Sequence, residues 1–363
     1  MSSARYLRWA LALAAAGALI AAGTASVGSA RPTKTITMAF VYDGPKNDGG
    51  WTQGHDTGRK VMEKALKGQV KTIYIESVPY GKQMQDLWNQ LVARHVNAIV
   101  DDTAAGPPFV AFCKAHLNIA CATSYPPLPN QPKNLTNFYV DHWDGSYLAG
   151  VAAGMLTKKG VLGYVAPFKV PTVNANLNSF ILGCQSVRKD CTVKTVLVNS
   201  WYNPPKEHDA AQTLLNAGVD IMNGLTDDTA FNTLASKHGI FNIGSYQDAM
   251  PSAGAWWLTG VVWDWRKFYI DYATGLLNGT WKAHNVVEPL GIGSGITAWG
   301  PHVPANVKSA VAKLEAKMKA GYTPFKGPIY DQAGKLRVKA GQTLSPNFLL
   351  NSWTWLVKGV VSS

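Results

Sequence analysis

Residues 35–42 (TITMAFVY) form a β-branched apolar run that stops at Asp43-Gly44-Pro45, a turn signal, and so read as a buried strand. Residues 51–66 then show helical spacing, with Val61, Ala65 and Leu66 on one side. The alternation continues with strand 71–77, helix 82–94, strand 98–101, helix 108–116 and strand 118–123. A second series follows Asp144: helix 146–156, strand 161–166, helix 173–186, strand 193–198, helix 205–217, strand 219–222, helix 228–237 and strand 240–243. Repeated β-α units of this length predict parallel sheets covered by helices on both faces, with right-handed crossovers. Ligands of such sheets bind at the carboxyl ends of the strands. Two series in one chain predict an α/β protein of two Rossmann-like lobes with a cleft between them.

The last hundred residues break the pattern, with helices at 265–277 and 304–320 and a hairpin at 327–339 turning at Ala333-Gly334. This tail is expected to return to the first lobe and brace the hinge. The expected organisation is residues 34–140 plus about 258–363 as the first lobe and 141–257 as the second. Before them, residues 1–30 carry Arg5 and Arg8, an apolar stretch from Trp9 to Ala22, and the small-residue exit Val27-Gly28-Ser29-Ala30. Those are the three parts of a cleavable signal peptide, and no cysteine near the exit offers a lipid attachment point. The mature chain is therefore expected in the periplasm, not lipidated and monomeric.

Export changes the meaning of the four cysteines, Cys113, Cys121, Cys184 and Cys191, because it puts them in an oxidising compartment. Four cysteines allow three connectivities; local pairing, 113 with 121 and 184 with 191, joins a helix end to the following strand each time, and four buried thiols are the alternative. Neither spacing suits a metal, and no cofactor is expected. Lys and Arg outnumber Asp and Glu by 34 to 22, but the basic residues are scattered and no nucleic-acid motif accompanies them. The 47% apolar and 15% charged content excludes a disordered chain.

Catalytic patterns are missing. The eight histidines include no HExxH and no helical i, i+4 pair, and neither a GxSxG elbow nor a GxxxxGK[ST] loop occurs. Aromatic residues carry the signal instead. Trp51 follows the first strand across DGPKNDGG, and Trp201 follows strand 193–198, so each of the two lobes places one indole at a strand carboxyl end. Lobe closure would bring the two rings together on a flat ligand, and such stacking adds about 1 kcal/mol per ring; packing near the hinge is the alternative. Asp48 either caps the helix opened by Trp51 or reaches the ligand. Asp227 has the same two options, and as a ligand group it would accept from ring N–H or amino donors. Asn178, a poor helix former inside helix 173–186, faces either a polar surface or the site.

The segments YDGPKNDGGWTQGHDTGRKVMEKAL, DHWDGSYLAGVAAGMLTKKGVLGYVAPFKVPTVNANLNSFILGCQSV and NSWYNPPKEHDAAQTLLNAGVDIMNGLTDDT resemble the basic-membrane-protein (BMP) family, and GPIYDQAGKLRVKAGQTLSPNFLLNSWTWLVKGVV resembles its C-terminal hairpin. The resemblance spans residues 36–361 and implies a type I periplasmic binding protein fold, with two lobes joined by three crossovers. It further implies a purine base or nucleoside as ligand and an ABC permease in the inner membrane as partner. Trp51 matches the family's first-lobe stacking aromatic, usually Phe, Trp201 the second-lobe aromatic, and Asp227 a polar cleft position. In the family's G-x-D-x-D segment this chain has Gly244-Ser245-Tyr246-Gln247-Asp248, so Tyr246 replaces the first Asp, which can hold ribose hydroxyls, and Asp248 remains. That exchange favours a free base or a differently substituted ring. A sugar receptor of the same fold, and an exported nucleoside hydrolase built on Asp227 and His55, are the alternative expectations.

Overall fold

The structure is a computed structural model that describes residues 34–124, 127, 130–246 and 253–362. The expected signal peptide (1–30) and Asp248 lie outside the described residues. The first sheet takes β1 (Ile36–Val41), β2 (Val70–Ile75), β3 (Ala98–Asp101), β4 (Ala120–Thr123) and β5 (Leu135–Val140) from the N-terminal series. Helices α1 (Trp51–Ala65), α2 (Lys82–Ala93) and α3 (Pro107–Ala115) connect the first four strands. All pairings in this sheet are parallel, and β1, β3 and β5 are buried almost throughout, as strands covered on both faces must be. The sequence pattern does not predict β5, because buried Thr136 and Asn137 interrupt its apolar run.

From Val140 the chain crosses at Asp141 into α4 (His142–Leu156) and the second sheet. There β6 (Val161–Ala166), β7 (Thr192–Leu197), β8 (Ile221–Gly224), β9 (Phe241–Tyr246) and β10 (Trp257–Trp263) are linked by α5 (Pro171–Val187), α6 (Pro204–Asn216) and, between β8 and β9, α7 (Ala230–Lys237). Helices α4 and α5 are buried on nearly every side and press together through glycines. A Cβ on Gly150 would stand 2.1 Å from the Phe180 carbonyl oxygen, and one on Gly183 would stand 2.2 Å from that of Tyr147. The disulfides Cys113–Cys121 and Cys184–Cys191 each tie a helix to the strand entrance that follows it.

Past β10 the chain returns once to the first lobe, as α8 (Arg266–Asn278) and β11 (Val286–Glu288), which pairs in parallel with β5. It then crosses back for good. β12 (Ser294–Ile296) is antiparallel to β10, and the last strand, β15 (Val360–Ser362), is parallel to β7. The sheet orders are β11-β5-β4-β3-β1-β2 and β12-β10-β9-β8-β6-β7-β15. The expectation that residues 258–363 belong with the first lobe therefore meets a different arrangement: α8 and β11 lie there, whereas β10, β12 and β15 complete the second sheet. Burial explains the difference. The apolar outer faces of α4 and α5 need cover, and α9 (Ala305–Lys319) on α4 and α10 (Pro346–Asn351) on α5 supply it, with Val307, Val311, Leu349 and Trp353 buried. The expected hairpin is present as β13 (Ile329–Tyr330) and β14 (Leu336–Val338), turning through Gly334 at φ +78°.

The three crossovers are laced together. Asp141 Oδ2 accepts the Leu290 amide at 2.8 Å, and the Asp264 amide donates to the Gly293 carbonyl at 2.7 Å. No described helix is long and apolar enough to cross a membrane.

Candidate functional site

A cavity of about 490 Å³ lies where the strands of both sheets end. Asp43 follows β1, Asp102 and Thr103 follow β3, and Ser124 follows β4; from the second lobe, Thr172 opens α5, Trp201 follows β7, and Leu225 and Asp227 follow β8. The lobes touch along one rim. A Cβ on Gly50 would fall 2.5 Å from the Asp227 Cα, so only a residue without a side chain lets the first-lobe loop reach the second. Tyr139 of the first lobe and Thr172 of the second also line the cavity.

The walls are mostly aromatic. The Trp51 ring meets those of Tyr246 and Trp263 edge-on at 5.9 and 5.7 Å between centroids, with Tyr139 tilted at 6.2 Å. Its indole N–H donates to the Asp102 carbonyl at 3.2 Å, which fixes the ring in its plane. Behind it His55 stacks on Trp265 at 4.4 Å and shares a 2.5 Å hydrogen bond with the Tyr269 hydroxyl. Opposite, Trp201 is half-buried and leans on Phe168 at 5.2 Å.

Three carboxyl groups punctuate these walls, and no Lys, Arg or His is among the described lining residues. Burial, followed by the charges of Asp43 and Asp101, raises Asp102 well above the usual carboxylate range. Burial also raises Asp227, ahead of Asp48 and Asp43, while the Tyr246 hydroxyl works against the shift by hydrogen-bonding the carboxylate. Asp43 is pushed up to about 6 by burial and then by Asp48. Asp102 Oδ2 and Asp227 Oδ1 are buried without hydrogen-bond partners. An unpaired buried acceptor costs about 1–3 kcal/mol, so each gains by meeting a donor on a ligand. The described lining offers an anion no cationic side chain, whereas N–H and NH2 edges find several acceptors.

Of the residues singled out from sequence, Trp51, Trp201, Asp227 and Tyr246 line this same cavity. Trp51 and Trp201 enter it from different lobes, each with its own ring neighbours. Asp48 does not line it. Its Oδ1 takes the amides of Gly50 and Gln53 and its Oδ2 that of Thr52, at 2.8 to 3.0 Å, so both oxygens are committed to the start of α1, the capping option of the two expected. Asn178 is also corrected: it is fully buried in α5, donates to the Trp355 carbonyl and accepts from the Val357 amide, both at 2.9 Å. Its polarity serves the C-terminal tail rather than the site. His55 stands behind Trp51, outside the cavity lining, and burial holds its pKa well below the ordinary imidazole value. The hydrolase pair of Asp227 and His55 is therefore not assembled.

Sequence reasoning missed Asp43, Tyr80, Asp102, Tyr139 and Trp263 as lining residues. Asp43 and Asp102 carry the same signal that found the tryptophans, a polar residue just past a strand, but each reads equally well as a turn residue. Tyr139 and Trp263 sit on β5 and β10, strands that the pattern does not predict.

The family model for ABC transporter substrate-binding proteins of the PnrA-like kind matches residues 35–319. A purine-binding protein of Brucella abortus (strain 2308) is 37% identical over 330 residues, covering 89% of this chain and 92% of that one. A putative ABC transporter glucose-binding protein of Haloferax volcanii is 29% identical over 289 residues, covering 78% and 72%. Among solved structures, an ABC transporter solute-binding protein of Conexibacter woesei superposes with a TM-score of 0.65 at 19% identity, covering 79% of this chain and 97% of that one.

Proposed function

Since the chain belongs to the Bmp family of ABC transporter substrate-binding proteins, and is thus a solute receptor of an ABC importer rather than an enzyme, we propose that its solute is a purine-like base. The observation that carries this reading is the cavity itself. Indole and phenol rings from both lobes bound a space edged by carboxyl groups and, among the described residues, without a cationic side chain, which suits a flat heterocycle rich in N–H donors. The purine-binding relative from Brucella abortus supports the same ligand class. Tyr246 supports a base without its sugar: it stands buried at φ +71° in the cavity lining with Asp227, where a nucleoside site would want an acceptor for the ribose diol. The cycle we propose is capture by lobe closure in the periplasm, as a monomer freed from its signal peptide and carrying no lipid, followed by delivery to the permease.

The test is intrinsic fluorescence and thermal melting of refolded protein with adenine, guanine, hypoxanthine, xanthine, uric acid, adenosine, guanosine and glucose. A ligand at 100 times its Kd stabilises the fold by about 2.7 kcal/mol, a shift of several degrees. Stacking on one aromatic ring is worth about 1–3 kcal/mol, so Trp51→Ala and Trp201→Ala should each weaken base binding by about 5- to 150-fold. A response to glucose with silence across the bases would replace the purine reading with the sugar reading.

A further inference from the structure

Trp201 and Asp227 reach the cavity from two separate loops, 198–203 after β7 and 225–229 after β8. Beneath both lies Glu207, in the first turn of α6 and with none of its surface exposed. Its Oε1 accepts the Asn203 amide at 3.0 Å, and its Oε2 accepts the Thr226 hydroxyl at 2.7 Å. Asn203 is two residues from Trp201, and Thr226 is adjacent to Asp227. The loops also meet directly, through the Asp227 amide on the Trp201 carbonyl at 2.9 Å. Capping of α6 accounts for only part of this. The Asn203 side chain already accepts the Lys206 amide, and Glu207 reaching back to the Asn203 amide completes a box at the helix start. A cap needs neither the second oxygen on Thr226 nor a carboxyl buried to the last atom. Burial, then the hydrogen bond and charge of Asp228, raise the Glu207 carboxyl above its ordinary range, so near neutrality it behaves as the uncharged acid.

We infer that Glu207 is a positioning residue: one buried carboxyl clamps the Trp201 loop to the Asp227 loop, so that the second lobe presents its stacking ring and its acceptor to the ligand as one rigid half-site. This rests on reading the cleft as the solute site, although the clamp itself is observable without any solute. A glutamine keeps the shape of the uncharged acid, with one oxygen to accept and one NH2 group to which the Thr226 hydroxyl and Asp228 can turn. An alanine keeps neither arm.

The experiment is hydrogen exchange of the unliganded protein, read on peptides covering 198–204 and 224–229, for wild type, Glu207→Gln, Glu207→Ala and Leu214→Ala. Leu214 is buried on the same helix in the apolar cluster with Val198 and Phe231, and controls for general loosening of the lobe. Losing both hydrogen bonds should speed exchange in the two loops together by about tenfold or more in Glu207→Ala. Glu207→Gln should stay near wild type, and Leu214→Ala should not single out these loops. Independent movement of the loops, or equal loosening in Leu214→Ala, overturns the clamp. Adenine titration of the same set adds the functional readout: the expected result is about tenfold weaker binding in Glu207→Ala with recovery in Glu207→Gln, and unchanged binding in Glu207→Ala overturns the positioning role. If the wild type does not bind adenine, the titration uses whichever base of the panel it does bind; silence across all the bases fails the purine reading, and hydrogen exchange alone then decides the clamp.

Discussion

At the scale of single residues, the cleft concentrates acid in a chain that is otherwise basic. Asp43, Asp102 and Asp227 line the cavity, and Asp101 lies just behind them, tied to the Trp88 indole and the Thr103 hydroxyl. Burial is the first cause of every one of these upward shifts; it takes Asp43 to about 6 and Asp101 to about 7. A carboxyl whose folded pKa stands above its unfolded one binds a proton more tightly in the native state. Its contribution is therefore fully present below the unfolded value near 4, and is lost as pH rises through the folded value. The melting temperature of the unliganded protein should accordingly fall between pH 5 and pH 8. Asp43→Asn removes one of these groups, so the difference between variant and wild type should change mainly between pH 4 and 6. Parallel pH profiles for the two proteins would refute the assignment. Saturating a ligand's donors on Asp102 and Asp227 should lessen the loss at high pH.

Elements show how one polar residue misleads when read without its partners. Asn178 is a weak helix former in the middle of α5, and the rule that such a residue seeks polar company is correct here. The company is the backbone at Trp355 and Val357, 177 and 179 residues further along the chain. Asn174, one turn earlier, does the same for the Trp353 carbonyl at 2.9 Å. The two amides fasten the tail to α5, and the tail in turn covers the helix. Asn178→Ala should cost about 2–3 kcal/mol through two lost hydrogen bonds and an unsatisfied buried amide, readable as a lower denaturant midpoint. Base affinity should stay within about twofold of wild type at temperatures where the variant is folded. A large affinity loss without a stability loss would return Asn178 to the site. Asp48 makes the same point at a helix start: the amide of Gly50 and two amides of α1 occupy both oxygens of a side chain that sequence position alone would lend to the ligand.

For the whole molecule the decisive contact is the one between lobes. At Gly50 the demand for a residue without a side chain is one of space between the lobes. The Asp227 backbone occupies the place of its Cβ, and backbone atoms cannot turn aside as a side chain can. Gly50→Ala should therefore leave the separate lobes and the unliganded melting temperature nearly intact, within about 1 kcal/mol. It should still weaken ligand binding by about tenfold or more, because the closed state alone meets the clash. Calorimetric titration together with small-angle scattering would check it: the variant should remain extended at ligand concentrations that compact the wild type. Full closure with unchanged affinity would show that the contact at Gly50 is not required for capture.

Much of this was legible in the chain. Strands buried on both faces need unbroken apolar runs, and helices at a surface need one apolar stripe, so β1, β3, β6, α1 and α2 announce themselves locally, as do the positions just past strand ends where Trp51, Trp201 and Asp227 fall. The resemblance to a receptor family rests on the same local segments. Long-range choices were not legible. Whether residues 258–363 cover one lobe or the other depends on which apolar helix faces remain bare once both sheets have formed, and α4 and α5 settle that only in three dimensions. The strands β5 and β10 hide because buried polar residues or glycine break their runs, and with them hide Tyr139 and Trp263. Glu207, Asn178 and Asp48 are polar residues whose roles depend on partners that the fold delivers. A sequence records what a side chain can donate or accept; only the tertiary structure decides which groups arrive to meet it, because burial and pairing are properties of the whole packed molecule.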